Sequence, residues 1–279
     1  MPNHICETCG TQFPDSRTEP SKCPVCTDER QYIGWDGQRW TTLDELKSTQ
    51  HRNVITKLEP RLYQILTEPS FGIGQRAFVL QTEEGNILWE CLTFIDKATV
   101  KAIESLGGLK AIAISHPHYY SSMVEWAEEF DVSIYLNQND RRWVMRPSSR
   151  IKYWRRDELD FFGGVKLLCL GGHFEGSSVL YWPEGDGGKG VLLSGDAIYV
   201  VYDRRFVSFM YSYPNFIPLP SSEVMRIAKS VLRQSFDRIY TSFEGREVME
   251  GAMESVRLSA DRYMASLRAG GRIRTHETR

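Results

Sequence analysis

The chain has 279 residues, of which 41% are hydrophobic, 25% charged and 12% aromatic, with a formal net charge of −2. This is ordinary globular composition, long enough for one large domain or for one large and one small. The near-neutral balance gives no bulk attraction to nucleic acid or an anionic membrane, and no apolar run approaches the ~20 residues of a membrane span.

The opening MPNHICETCG has neither a charged n-region nor an apolar h-region, so the expected setting is cytoplasmic and reducing. Six cysteines are present, and Cys6, Cys9, Cys23 and Cys26 fall within the first 26 residues, a clustering that suits metal ligation better than a disulfide framework. Residues 1–30 are polar and rich in Pro, Thr and Ser, with almost nothing that builds a hydrophobic core. Cys6-x-x-Cys9-Gly and Cys23-Pro-x-Cys26 are two knuckles, each offering two thiolates to one tetrahedral ion. The reading is a zinc ribbon or rubredoxin-like segment whose folding free energy comes from Zn2+. An iron site for electron transfer and a ribbon that docks a partner are the rivals; few basic residues and the pair Asp28-Glu29 count against nucleic acid. His4 is not needed, because four cysteines fill the shell. Residues 31–52 read as a linker with a short helix, capped by Thr41 or Thr42 ahead of LDEL.

A layered α/β domain is expected over 53–268. RAFVLQT and NILWECLTFID are β-rich runs separated by the turn Glu83-Glu84-Gly85-Asn86. KATVKAIESLGG reads as a helix closed by Gly107-Gly108, LKAIAIS as a buried strand, SSMVEWAEEFD as an amphipathic helix and VSIYLN as a strand. VKLLCLGG, SSVLYWPE and GVLLSGD follow as strands. Helices are expected over Glu223–Ser235 and Val248–Arg268, with the strand DRIYTS between them, and the tail, 269–279, is expected to be mobile. Cys91 and Cys169 lie in apolar runs and are expected as buried free thiols.

The histidines carry the chemistry. His51 sits in a polar stretch and His276 in the tail, whereas His116, His118 and His173 each follow an apolar strand, and Asp196 ends VLLSGD. The C-terminal ends of strands are where α/β sheets place their sites. In extended chain, side chains at i and i+2 point the same way, so His116 and His118 can share one ion. Gly171-Gly172 and Gly195 let the backbone turn sharply beside it.

At these residues the chain resembles the metallo-β-lactamase superfamily. That family's signature is H-x-H-x-D-H after a buried strand, a His after a glycine pair, a Gly-Asp after another strand and a last His after a later one. The matching residues are His116-Pro117-His118, Gly171-Gly172-His173 and Ser194-Gly195-Asp196. The resemblance covers about residues 53 to 265. It implies an α/β fold, an αββα sandwich preceded here by the small zinc-ribbon segment, with a metal site at one edge of the two sheets. The chain also departs from the signature. Tyr120 stands at the Asp position, Ser121 at the second His position, and no His occurs in YTSFEGR, Tyr240 to Arg246. The second metal's own residues are absent, so the resemblance implies a mononuclear centre on His116, His118, His173 and Asp196, with Tyr119, Tyr120 and Glu244 beside it.

Three imidazoles, one carboxylate and an open position describe a catalytic zinc site that activates water near neutral pH and polarises a carbonyl. The resemblance implies a hydrolase of esters, thioesters or lactones, the class of the hydroxyacylglutathione hydrolases of this fold. Tyr120 is expected as a hydrogen-bond donor and Glu244 as a candidate replacement base. One alternative is a mononuclear Fe2+ oxygenase similar to the persulfide dioxygenases, with His116, His173 and Asp196 as its triad. The other is a non-catalytic metal-binding or partner-docking protein. Arg141 to Arg156 interleaves seven basic residues with Trp143, Tyr153 and Trp154, and is expected as a solvated surface or a rim for an anionic substrate rather than a nucleic-acid site. Asp203 to Pro220 is dense in aromatics; as a pocket loop it implies a small-molecule substrate with an apolar or aromatic portion. Nothing in the sequence speaks to oligomeric state.

Overall fold

The computed structural model describes residues 1–267; Arg268 and the tail expected to be mobile lie outside them. The N-terminal segment forms a small sheet of β1 (Asn3–Cys6), β2 (Gln12–Asp15) and β3 (Trp40–Thr42) in the order β2-β1-β3. Helix α1 (Leu43–Lys47) follows directly. Thr42, not Thr41, is its N-cap: Glu45 N donates to the Thr42 hydroxyl (3.2 Å) and Thr42 N donates to the Glu45 carboxylate (2.8 Å).

Several strands were not foreseen in the sequence, among them the first two of the first large sheet. β4 (Arg52–Glu59) and β5 (Leu62–Glu68) pair as a long hairpin across Pro60 and Arg61, the latter at φ 74°. β4 is the sheet's edge and only Glu59 in it is buried, so its side chains carry little apolar alternation. β6 (Ala77–Leu80) and β7 (Ile87–Trp89) form the expected hairpin; α2 (Lys97–Ser105), β8 (Ala111–Ala113), α3 (Met123–Glu129), β9 (Ser133–Asn137) and β10 (Ile151–Trp154) follow. The first large sheet runs β10-β9-β8-β7-β6-β5-β4, antiparallel from β4 to β7 and parallel from β7 to β10.

The second half adds β11 (Glu158–Asp160), β12 (Lys166–Cys169), β13 (Ser178–Trp182), the one-turn α4 (Gly185–Gly188) and β14 (Val191–Leu193). Two short hairpins, β15 (Tyr199–Val200) with β16 (Val207–Ser208) and β17 (Met210–Ser212) with β18 (Ile217–Pro218), span the aromatic stretch and the residues just before it. Then come α5 (Ser221–Val231), β19 (Arg238–Tyr240), β20 (Glu247–Val248) and α6 (Ala252–Leu267). The second large sheet runs β11-β12-β13-β14-β19-β20. The last helix starts later than expected because Glu247–Val248 pairs with β19 instead.

Period-two alternation explains the layers. In β6, Phe78 and Leu80 point between the sheets while Ala77 and Val79 point outward; in β13, Leu180 and Trp182 point between the sheets while Val179 and Tyr181 point outward. The outward residues of the first sheet pack on α2 and α3 through Ile103, Met123, Val124 and Trp126. Those of the second pack on α5 and α6 through Val224, Ile227, Val256 and Ala260. The result is the αββα sandwich that the sequence led us to expect.

One expectation needs correcting. The N-terminal segment is not without core: Ile5, Phe13 and Val25 are buried in the same apolar cluster as α3, Tyr119 and Tyr120. Few in number, these side chains find cover against the large domain rather than against one another. Gln12 N donates to Ser121 O (3.1 Å) and the Thr93 hydroxyl to Gly10 O (3.1 Å). Cys91 is buried as expected, but Cys169 is only partly so. In the basic stretch, Trp143 and Trp154 are buried, while Arg142, Arg146 and Arg150 pair with Glu175, Glu125 and Asp131. Among the described residues no helix is long and apolar enough to cross a membrane.

Candidate metal centre

β12 and β14 both run antiparallel to β13, so they point the same way and their C-terminal ends share one end of the second sheet. The chain leaving β12 carries His173, the chain leaving β14 carries Asp196, and the chain leaving β8 carries His116 and His118. One donor atom from each of these four residues lies within 4.8 Å of all the others. All four residues are nearly inaccessible, between 1% and 6% exposed.

The histidine pair does not converge by strand alternation. His116 is extended (φ −164°, ψ 170°), but Pro117–Tyr119 is a 3-10 turn. Proline presets the turn's first residue, and the turn swings His118 back towards His116, their ring centroids 5.2 Å apart. The same turn decides which tyrosine reaches the site. The Tyr119 hydroxyl donates to Asp196 Oδ1 (2.6 Å), while the Tyr120 ring is buried in the outer core with no hydrogen-bond partner for its hydroxyl among the described residues. Glu244 is exposed, and its carboxylate accepts from Gln64 Nε2 (2.8 Å). The structure therefore brings His116, His118, His173 and Asp196 together and leaves Tyr120 and Glu244 outside the group.

Hydrogen bonds orient two of the rings. His173 Nδ1 donates to Tyr211 O (2.8 Å), which aims the Nε2 lone pair inward. His116 Nδ1 pairs with the Ser115 hydroxyl (2.7 Å), leaving Nε2 buried without a hydrogen-bond partner. His118 Nδ1 faces His173 Nε2 at 3.1 Å, and its ring stands edge-on to Phe174. Asp196 Oδ2 lies 3.5 Å from His116 Nε2 and 3.9 Å from His173 Nε2. Nitrogen and oxygen donors at 2.0–2.2 Å around a tetrahedral ion stand about 3.3–3.6 Å apart. The separations here bracket that spacing, and the buried His116 Nε2, with no hydrogen-bond partner, has a lone pair available to a ligand ion. The residues fit a single divalent cation.

Electrostatics agree. Burial lowers His118 well below its ordinary pKa and His173 to about 3, so both rings are neutral and able to ligate. Burial works to raise the Asp196 carboxyl, but His116, His173 and the Tyr119 hydroxyl together hold it below the usual range, as the anion. Burial and the Asp196 charge push Tyr119 far up, so it stays protonated and donates.

One acid behind the site was not anticipated. Glu90, fully buried, accepts from Ser115 N (3.0 Å), and burial pushes its carboxyl up to about 8. A lone acid inside the apolar run ILWECL was the available signal. Gly195 sits at φ 50°, and a Cβ there would meet Ser115 Oγ at 2.5 Å. The Tyr213 hydroxyl donates to Asp196 O (2.9 Å), so the aromatic stretch does back the site.

The second cluster is Cys6, Cys9, Cys23 and Cys26, all buried. Cys6 and Cys26 sulfurs lie 3.6 Å apart, and Cys9 and Cys23 sulfurs 3.7 Å. Thiolates at about 2.3 Å from a tetrahedral ion would stand roughly 3.8 Å apart, so this set also fits one ion. Gln38 Nε2 donates to Cys6 Sγ (3.0 Å), as a charged sulfur requires.

Comparison with known proteins places this architecture. A family profile described as "Metallo-beta-lactamase superfamily" matches residues 72–241. The chain is 50% identical over 268 residues to the uncharacterized protein YmaE of Bacillus subtilis (strain 168), covering 96% of this chain and 97% of that one. Among solved structures it is similar to the DIM-1 metallo-β-lactamase exposed to ceftazidime, with a TM-score of 0.58 and 14% identity over 75% of this chain and 97% of that one. A metallo-β-lactamase from Pontibacter korlensis gives a TM-score of 0.56 and 13% identity over 75% of this chain and 98% of that one. With the αββα layers, the GGH and SGD strand ends and the convergent donors in place, the chain belongs to the metallo-beta-lactamase superfamily.

Proposed function

We propose that this protein is a metal-dependent hydrolase that cleaves an ester, thioester or lactone through one ion held by His116, His118, His173 and Asp196. The observation that carries the reading is the Tyr119–Asp196 contact within the convergent donor set. Asp196 has two oxygens, and the Tyr119 proton occupies Oδ1 while Oδ2 faces His116 and His173. A protonated phenol thus occupies the carboxylate oxygen that does not face these two imidazoles, which supports a mononuclear site. A divalent cation there supplies Lewis acidity towards a carbonyl and acidifies water. The protein's part is to hold three imidazoles and one carboxylate in fixed positions and to keep bulk water out.

The substrate is a small molecule with an apolar or aromatic portion. Tyr213 lies 5.7 Å from the His173 ring and 4.8 Å from Tyr199, which lies 5.9 Å from Phe243, a run of aromatic faces leading away from the site. At the outer end Arg246 stacks on the exposed Tyr202 at 3.6 Å and offers a cation for an acidic group. The four-donor set supports Zn2+ over the three-donor arrangement of a mononuclear Fe2+ oxygenase. The ribbon ion is read as Zn2+ as well.

A second reading, a closed non-catalytic ion site, is favoured by the burial of all four donor residues. One experiment separates the readings: metal analysis of wild type and His116→Ala/His173→Ala, beside turnover of ester, thioester and lactone panels. Two zinc ions per wild-type chain, one in the variant, and turnover lost with the ion support the hydrolase. Two ions without turnover support the closed site, and iron in the lost site supports the oxygenase.

A further inference from the structure

We propose that the cysteine-bound ion of the ribbon governs the histidine site through Arg30, which acts as a positioning residue for His173. This rests on the reading above that the four convergent donors hold an ion.

Arg30 lies four residues beyond Cys26, on a pair of turns that the second knuckle starts: Thr27 N donates to Cys23 O (3.0 Å) and Gln31 N to Asp28 O (3.0 Å). Its side chain is only 3% exposed. The guanidinium makes a two-pronged contact with Asp28, Nε to Oδ1 at 2.6 Å and Nη2 to Oδ2 at 3.0 Å. Its Nη1 donates to the backbone carbonyl of His173 (3.3 Å) and lies 3.6 Å from Glu175 Oε2, two residues further along the same loop. Its flat face lies 3.9 Å from the centre of the Phe174 ring, and that ring touches His118 and His173, centroids 4.9 and 5.1 Å away. A residue of the ribbon thus holds a ligand's carbonyl and backs the ring that supports two ligands.

A second tie acts from the other side. Asn215 Nδ2 donates to Glu29 O (2.8 Å) and to Gln31 O (3.0 Å), clasping the same ribbon segment. Asn215 belongs to the stretch in which Tyr211 O accepts from His173 Nδ1 and the Tyr213 hydroxyl donates to Asp196 O. Residues 28–31 therefore touch both segments that orient His173 and Asp196.

Those four residues contribute no large apolar side chain of their own. What fixes the chain before them is the knuckle, and the knuckle is held by its ion. A buried guanidinium stays buried only while paired and stacked, so Arg30 has two discrete arrangements: docked, or out in water. Loss of the ribbon ion favours the second, freeing the His173 carbonyl and the outer face of Phe174. Partners that orient ligands in this way typically account for 10–100-fold in metal affinity.

The test uses the full chain with Co2+ in both sites. Thiolate charge-transfer absorption reports the ribbon, and the weaker visible bands of nitrogen–oxygen coordination report the histidine site. Arg30→Met keeps the length of the stem, removes the charge and leaves all four cysteines in place. The expected result is about tenfold or greater loss of Co2+ affinity at the histidine site, measured by chelator competition, with the ribbon absorption unchanged. Arg30→Lys should recover part of the loss, because the charge returns without the planar stack. Amide hydrogen exchange across Gly171–Ser177 should rise in Arg30→Met and in Cys23→Ser, while β13 stays protected. Unchanged affinity and unchanged exchange in Arg30→Met would overturn the proposal. A wild type that takes up cobalt at the thiolates alone would count against the metal-site reading instead; exchange in Arg30→Met then decides the coupling by itself, faster exchange supporting it and equal exchange overturning it.

Discussion

The Tyr119 hydroxyl donates to Asp196 Oδ1 at 2.6 Å, and both side chains are buried. This bond links the turn after β8 to the end of β14, and so one sheet to the other. Tyr119→Phe removes the donor and leaves a buried carboxylate oxygen unsatisfied, at a cost of about 1–3 kcal/mol. A lower urea midpoint and a 10–100-fold weaker histidine-site ion are expected, read by denaturation and chelator competition. A variant as stable and as metal-tight as wild type would show that the bond orients nothing.

Gly195→Ala tests how tightly the site is built. The new methyl would meet Ser115 Oγ at 2.5 Å and Glu90 Oε1 at 3.1 Å, on a backbone at φ 50°. Ser115 must shift, and it holds His116 Nδ1. About 1–3 kcal/mol of destabilisation is expected from overpacking, together with a lower ion content by elemental analysis. Gly74→Ala is a useful control, since its neighbour is the single hydroxyl of Ser70, at another part of the chain.

Asp140 gives stability a pH dependence. It is 1% exposed, its Oδ1 accepts from Gly176 N (2.9 Å), and its Oδ2 has no hydrogen-bond partner. Burial pushes its carboxyl up to about 7. A folded-state value above the unfolded value of about 3.9 means that the proton binds the native state more tightly. The contribution is complete below the unfolded value and is lost as pH rises through about 7. Asp140→Asn should abolish that slope, gaining on wild type by up to the order of 3 kcal/mol between pH 5 and 8. Urea midpoints of the two proteins across that range check it, and parallel curves would refute it.

Glu244→Gln should leave the histidine-site ion and the urea midpoint unchanged within about 0.5 kcal/mol, because the side chain is exposed and bonded to Gln64. A large fall in turnover in this variant would restore Glu244 as a base.

Much of the fold was legible because its signals are local. AFVL, ILW, SVLYW and VLL are buried on both faces and read as continuous apolar runs, and the Glu83–Asn86 turn marks its hairpin. β4 was silent because an edge strand with a single buried residue has no alternation to show. The ion site was legible for the same reason as the strands: each ligand follows an apolar run directly, so position along the chain predicted position at the end of a sheet.

The sequence by itself pointed to the layers, the two cysteine knuckles and the four donor residues, His116, His118, His173 and Asp196, that the structure brings together. The tertiary structure alone decided which tyrosine serves Asp196, because the 3-10 turn at Pro117 sets a rotation that i, i+2 reasoning in extended chain gets wrong. It alone decided that the ribbon is part of the large domain's core and that Arg30 reaches His173, 143 residues away in sequence. Local patterns record which face of an element is apolar; they do not record which distant surface covers it. That is settled by packing between whole layers, and the links from ribbon to metal centre exist only once those layers have met.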